Sequence, residues 1–275
     1  MEKGNKKIIR GWVFYDWANS VYNLVIASAI FPIFFEAMTT KVYKARLHPN
    51  LLPEELSKLS VRTEDVTSFF FGVEMTSSVL YSYVLSASFL VVSILSPILS
   101  GIADYSGKKK LFMRIFCYMG AISCCGLFFF DASSMEWSMV PFFFASIGFW
   151  GSLVFYNSFL PEIAERKDHD KVSARGFSMG YFGSMILLIV CLVWNKVLGY
   201  DIEYAFLFVG IWWVAFSQIT YNVLPSNVYN RKPEKGMIWK GFHELKLVYK
   251  EFRQIKPLKR FITSFLFFYT GVQTV

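Results

Sequence analysis

Acid and amide side chains lie within a strongly apolar stretch near the start of the chain. In G-W-V-F-Y-D-W-A-N-S-V-Y-N (residues 11–23), Asp16, Asn19 and Asn23 are three and four residues apart, so an α-helix would place them on one face. An aspartate at mid-depth in a bilayer costs about 2.5–3.5 kcal/mol, so this face is expected to avoid hydrocarbon. The pattern predicts a pathway for a polar solute or ion. Tyr22, next to Asn23 in the sequence, is assigned to the same pathway. Because Asp16 lies near one end of the apolar stretch, an interfacial acid that bonds to neighbouring helix ends is the alternative.

A second polar cluster lies near the end of a later apolar run. Tyr156 and Asn157 could contact the same solute, and hydrogen bonding between helices is the alternative. Further on, Gly176, Gly180 and Gly183 predict a close approach of one helix to another.

The elements that would position these groups are long apolar runs. The chain has 275 residues, 55% hydrophobic and 17% charged, whereas a soluble domain is about a quarter charged. Six runs reach the roughly 20 residues that cross a bilayer: Trp12–Met38, Val79–Ala103, Leu111–Phe130, Trp137–Leu160, Phe177–Leu198 and Tyr204–Leu224. The sequence therefore predicts an all-α polytopic membrane protein. Its many aromatic residues, 30 of them Phe, are expected at lipid-facing and interfacial positions.

The distribution of basic residues predicts the orientation. With the N-terminus inside, most of the 28 Lys and Arg residues fall in inner segments. Those in outer segments are Lys41, Lys44, Arg46, Lys58, Arg62 and Lys196. This bias predicts a cytoplasmic N-terminus. It also assigns the net charge of +8 to the inner membrane surface, so no nucleic-acid partner is expected.

The runs and connectors suggest three parts. Residues 1–224 form a six-helix bundle with an outer connector at 39–77, in which a short helix begins near Pro53. Residues 225–260 form an inner linker with a basic amphipathic helix, whose apolar stripe comprises Ile238, Phe242, Leu245, Tyr249 and Phe252. Residues 261–275 would begin a second bundle as an incomplete seventh helix. The rest of that second half is expected to be missing from this chain.

The connector G-I-A-D-Y-S-G-K-K-K (101–110) joins the second and third runs on the inner side. It could simply be a charged loop that fixes topology, with lysines anchored at the lipid surface. It also resembles the signature loop of the major facilitator superfamily, G-x-x-x-D-x-x-G-[RK]-[RK]. Five residues match that pattern: Gly101, Asp104, Gly107, Lys108 and Lys109. Tyr105 departs from it, since a basic residue usually follows the aspartate.

Further segments resemble one branch of that superfamily. They are F-Y-D-W-A-N-S-V-Y (14–22), I-F-P-I-F-F (30–35), L-P-E-I-A (160–164), R-G-F-S-M-G-Y-F-G (175–183) and F-Y-T-G-V-Q-T-V (268–275). Together they resemble the "unknown major facilitator" family, related to the autophagy-linked vacuolar amino-acid effluxers. The resemblance implies a secondary transporter that works by alternating access, with the 101–110 loop as a cytoplasmic gate. It also implies that the solutes are amino acids or similar small polar molecules and that they are exported.

Proton coupling through Asp16 is a hypothesis that follows from its place on the polar face. A bacterial inner membrane is the expected location.

Other classes of function find less support. All three histidines lie in connectors, and no metalloprotease, hydrolase or phosphate-binding motif occurs, so no metal, cofactor or enzymatic activity is expected. The four cysteines, within apolar runs, are expected to be core residues. A truncated, non-transporting membrane remnant or scaffold remains the main alternative.

Overall fold

The computed structural model describes residues 3–226, 246–247, 250 and 254–274. The side chains at 104, 105 and 269–274 fall outside that description. Most of the linker predicted at 225–260, including the apolar stripe of its amphipathic helix, lies outside the described residues as well.

The first membrane helix is much longer than predicted. It begins with α1 (Lys6–Val21), continues through a π-helical segment (Tyr22–Ile30) and ends with α2 (Phe31–Leu47). The 42 residues rise about 63 Å, twice the thickness of a hydrocarbon core of about 30 Å. Hydropathy falls after Met38, but the chain stays helical to Leu47, so the helix extends into the residues predicted to begin the outer connector.

The segment between Leu47 and Ser77 contains a short helix and a β-hairpin. The helix α3 (Pro53–Lys58) begins at the predicted proline. Strands β1 (Thr67–Phe70) and β2 (Val73–Thr76) pair antiparallel across a turn at Phe71 and Gly72, which have φ of 49° and 77°. The hairpin was not predicted, although aromatic residues followed by a glycine are a typical hairpin signal.

The remaining helices are α4 (Ser77–Ser106), α5 (Lys109–Gly126), α6 (Met135–Ile163), α7 (His169–Lys196), α8 (Tyr204–Val223) and α9 (Lys256–Thr274). Six helices in the described ranges, the first being Lys6–Leu47, are long and apolar enough to cross a membrane. The protein is thus an all-α polytopic membrane protein with one small hairpin, as the hydropathy predicted. The helix α9 begins at Lys256, five residues before Phe261, where the sequence predicted the start of an incomplete helix.

The connector predicted at 101–110 is far shorter in the structure. Residues 101–106 continue α4, and only Gly107 and Lys108 separate it from α5. Gly107 has a φ of 66°, the left-handed conformation that commonly ends a helix at glycine. The predicted loop at 101–110 is therefore mostly helix.

The bundle is held together by helix pairs and an aromatic core. The helix α5 packs against α6 and α8, α1 packs against α7 and α8, and α4 packs against α6. Phe31 is fully buried and stacks on Phe142 at 4.5 Å between ring centroids. Phe34 and Phe206 meet edge to face beside them at 5.2 Å. The expectation that the aromatic residues face lipid therefore fails for this cluster, although others, such as Trp137, are exposed.

Candidate functional site

A hollow of about 350 Å³ lies among the first membrane helix, α6 and α7. Its size is at the lower end of the range for small-molecule sites, about 300–1,000 Å³. The polar residues that line it are Asp16, Ser20, Asn23, Asn157, Ser173 and Ser184. The aromatic residues that line it are Trp12, Phe149, Trp150, Tyr156, Phe177 and Tyr181. The hollow thus combines hydrogen-bonding groups from three helices with aromatic walls.

A second hollow of about 310 Å³ continues this surface towards α4. It shares Trp150, Leu153 and Asn157 with the first hollow and adds Phe89 and Ser93. Neither lining includes a residue of α5 or α8. The two hollows therefore mark one side of the bundle, formed by the first membrane helix, α4, α6 and α7.

The Asp16 carboxylate is held by a residue from another helix. The Tyr156 hydroxyl donates a hydrogen bond of 2.8 Å to Oδ2 of Asp16. Trp12 fixes Tyr156 in turn, because the two rings stack at 4.2 Å and the indole Nε1 donates to the Tyr156 carbonyl oxygen at 2.8 Å. Asp16 is 7% exposed and lines the hollow. This arrangement presents a positioned carboxylate to the space between the helices.

The glycines at the start of α7 allow this geometry. A Cβ at Gly176 would collide with Oδ2 of Asp16 and would lie 3.1 Å from the Tyr156 hydroxyl. A Cβ at Gly183 would lie 2.9 Å from the Trp17 carbonyl oxygen. The close helix approach expected at these glycines is present, and it brings α7 against the acid.

Two residues predicted for the pathway do not line the hollow. Asn19 is fully buried, with its Oδ1 3.5 Å from the Ser20 hydroxyl. Tyr22 is 1% exposed and packs against Phe149, with 5.1 Å between ring centroids. The expectation that Asn19 faces the hollow beside Asp16 and Asn23 is not met, whereas Asn23, Tyr156 and Asn157 do line it.

The sequence interpretation missed three serines of the lining. Ser20 lies four residues after Asp16, so the same helical periodicity could have identified it. Ser173 and Ser184 come from α7, and nothing in their local sequence indicated which helix they would face.

The predicted gate residues have different environments. Lys108 is exposed, and Gly101 is half-buried within α4. Lys109 is buried, and its Nζ donates to Oε1 of Glu162 at 2.6 Å. The expectation that this lysine anchors at the lipid surface is wrong, because α6 provides a buried carboxylate. The Asp104 side chain lies outside the description.

The described residues contain no group of three or more His, Cys, Asp or Glu that could hold a metal ion. Cys117, Cys124 and Cys191 are buried and Cys125 is half-buried, and all four are free thiols.

Comparison with known proteins identifies the family. Residues 4–275 match the family described as "Vacuole effluxer Atg22 like". The chain belongs to this family. No solved structure matches the chain.

Named relatives are similar along much of the chain. The "Uncharacterized MFS-type transporter YxiO" of Bacillus subtilis is 29% identical over all of this chain and 60% of its own length. "Autophagy-related protein 22" of Coccidioides immitis is 21% identical over 78% of this chain and 47% of its own length. The protein of that name from Saccharomyces cerevisiae (strain S288c) is 26% identical over 74% and 43%, respectively. The chain thus spans three-fifths or less of the length of these curated relatives.

Proposed function

We propose that this chain forms the amino-terminal six-helix bundle of a secondary transporter for a small polar solute. The observation that carries the proposal is the hollow beside Asp16, where a carboxylate, amides and hydroxyls are gathered between apolar helices. Polar groups at such positions in membrane helices characteristically belong to solute or ion pathways. The names of the relatives, an MFS-type transporter and the Atg22 proteins, favour the same function.

The solute path would run along the side of the bundle that carries both hollows. A second bundle would cover that side, so that solute binds between the two halves. Rocking of one bundle against the other would then expose the site to each membrane face in turn. At the inner end, residues 101–110 would act as the gate, beside the Lys109–Glu162 ion pair that joins α5 to α6.

A proton held by Asp16 would couple transport to the proton gradient. Among the described residues, the titratable group that contacts the Asp16 carboxylate is Tyr156 on α6. The residue of α7 that lies against this carboxylate is Gly176, which has no side chain to titrate. The residues of the hollow that the structure describes include no Lys, Arg or His. Charge at the hollow would therefore depend on Asp16.

Amino acids and similar small polar solutes are the proposed cargo, and efflux is the proposed direction. The family description, a vacuole effluxer, supports the direction. The proposed location is a bacterial inner membrane with the N-terminus in the cytoplasm, in accordance with the excess of basic residues on that side.

The test is transport by the full-length protein reconstituted in liposomes. Uptake and efflux of individual amino acids are measured with and without a pH difference across the membrane. We expect saturable movement of at least one of them, accelerated by the pH difference. Asp16→Asn should abolish that acceleration, because the amide carries no titratable proton.

Asp201→Asn is the matched control, since Asp201 is exposed in the connector between α7 and α8. It should transport like the parent protein. Unchanged rate and pH dependence in Asp16→Asn would exclude the coupling role. Failure to move any polar solute would instead favour a non-transporting scaffold.

A further inference from the structure

The hollow is lined by an acidic residue and, in the described part of the chain, by no basic one. Among the described residues, Asp16 is the one acid that lines it, and no Lys, Arg or His lines either hollow. The Tyr156 hydroxyl donates a hydrogen bond to Oδ2 of Asp16. No group in the described part of the chain donates a hydrogen bond to Oδ1. The carboxylate therefore keeps an acceptor for a group that enters from the hollow.

The other lining groups suit a cation that bears N–H donors. The side-chain amides of Asn23 and Asn157 lie in exposed positions and supply carbonyl acceptors. Phe177 and Tyr181, 67% and 69% exposed, present aromatic faces on α7. Aromatic faces attract cations, and the attraction grows when water is excluded.

We propose that this hollow binds a primary ammonium group of the transported solute, with Asp16 as its counter-ion. The inference rests on the proposed function. It limits the transported solutes to amines and amino acids, whose ammonium group would enter the hollow first. A primary ammonium has three donors, which match a carboxylate oxygen and amide oxygens better than a quaternary ammonium could. A solute carboxylate would find no cation among the described residues of this wall.

The chemistry also relates cargo to coupling. A proton and an ammonium group would use the same carboxylate, so binding of one would disfavour binding of the other. Release of the solute would then leave Asp16 open to protonation.

The test uses three probes of similar size: valine, isobutylamine and isovalerate. Isobutylamine keeps the ammonium group without the carboxylate, and isovalerate keeps the carboxylate without the ammonium group. Binding to the purified full-length protein is measured by isothermal titration calorimetry, which does not require transport. We expect isobutylamine and valine to bind and isovalerate not to bind.

Asp16→Asn should weaken amine binding about 10- to 100-fold, as loss of a charge-assisted hydrogen bond predicts. Asparagine has nearly the same shape and can still accept the Tyr156 hydroxyl, so a folded variant is expected, and its unfolding temperature checks this. Asp201→Asn should bind like the parent protein. If the Asn variant does not fold, Tyr156→Phe provides the second test, with a smaller loss of amine affinity.

Binding of isovalerate in preference to isobutylamine, or binding of no amine probe, would overturn the ammonium site. Transport of an uncharged polar solute by a protein that binds no amine would also overturn the ammonium site, but it would support the proposed transport function. Amine binding that depends on Asp16 in a protein that transports nothing would support the site and refute the proposed function.

Discussion

Nζ of Lys109 lies 2.6 Å from Oε1 of Glu162, and each side chain is 8% exposed. The pair joins the first turn of α5 to the last turn of α6. Two neighbouring lysines behave differently, since Lys108 is exposed and Lys110 donates to the Leu224 carbonyl oxygen at 2.7 Å. Of three consecutive lysines, Lys108 is thus exposed, Lys109 forms a buried ion pair, and Lys110 binds a carbonyl oxygen at the end of α8.

Replacing Lys109 with Met should destabilise the bundle by about 3–5 kcal/mol, because Glu162 loses a buried cationic partner. Unfolding of the purified protein in detergent micelles measures the effect. Lys108→Met is the matched control and should change stability little. The double variant Lys109→Met/Glu162→Leu should be more stable than Lys109→Met alone. Equal stability of the parent and Lys109→Met would contradict the assignment.

A methyl group at Gly176 should disturb the Asp16–Tyr156 pair. Its Cβ would collide with the carboxylate, so Gly176→Ala should cost about 1–3 kcal/mol and lower transport by the reconstituted protein. Gly126→Ala offers a control within the membrane, because its Cβ would meet Pro141 at an ordinary 3.4 Å. Similar stability and transport in the two variants would show that α7 can move away from α1 without cost.

The β1–β2 hairpin should loosen in acid. The Thr67 hydroxyl donates to Glu74 at 2.6 Å and, with the Arg46 guanidinium at 2.8 Å, holds the pKa of Glu74 below its usual value. A depressed pKa in the folded state stabilises the hairpin above the unfolded pKa of about 4.3, and this stabilisation is lost as pH falls through the folded pKa.

A nitroxide on Val73→Cys, an exposed position in β2, reports this change as mobility in electron paramagnetic resonance spectra. Mobility should rise as the pH is lowered from about 7 to about 3. Adding Glu74→Gln should raise mobility at neutral pH and remove the response. Adding Glu64→Gln, a change at another exposed acid of the connector, should preserve it. A response that persists in Glu74→Gln would assign the transition to a different group.

The proposed orientation predicts which side of the membrane each connector reaches. A membrane-impermeant thiol reagent should label Ser57→Cys from outside intact cells and Lys108→Cys only in inverted vesicles. Both positions are exposed, and three of the four native cysteines are buried. The reverse pattern would place the N-terminus outside.

Hydropathy was sufficient to predict the number and approximate positions of the membrane helices, because about 20 apolar residues must satisfy the bilayer whatever they pack against. It did not predict where the helices end. Residues 39–47 and 101–106 are polar or mixed in composition, and yet they remain helical. Where such helices end depends on capping residues and on contacts with other helices. Gly107, which ends α4, is a capping residue that the sequence itself indicates.

The sequence by itself determined that polar groups of the first helix must avoid lipid, since their cost in hydrocarbon depends on residue type and depth alone. It could not determine which of them face the hollow. At about 100° per residue, Ser20 and Asn19 lie about 40° and 60° to opposite sides of Asp16. Only the packing of α7 and α8 against α1 decided that Ser20 opens to the hollow and Asn19 is enclosed. Contacts between residues far apart in the chain, such as Tyr156 with Asp16, likewise arise from helix packing, which no local pattern encodes.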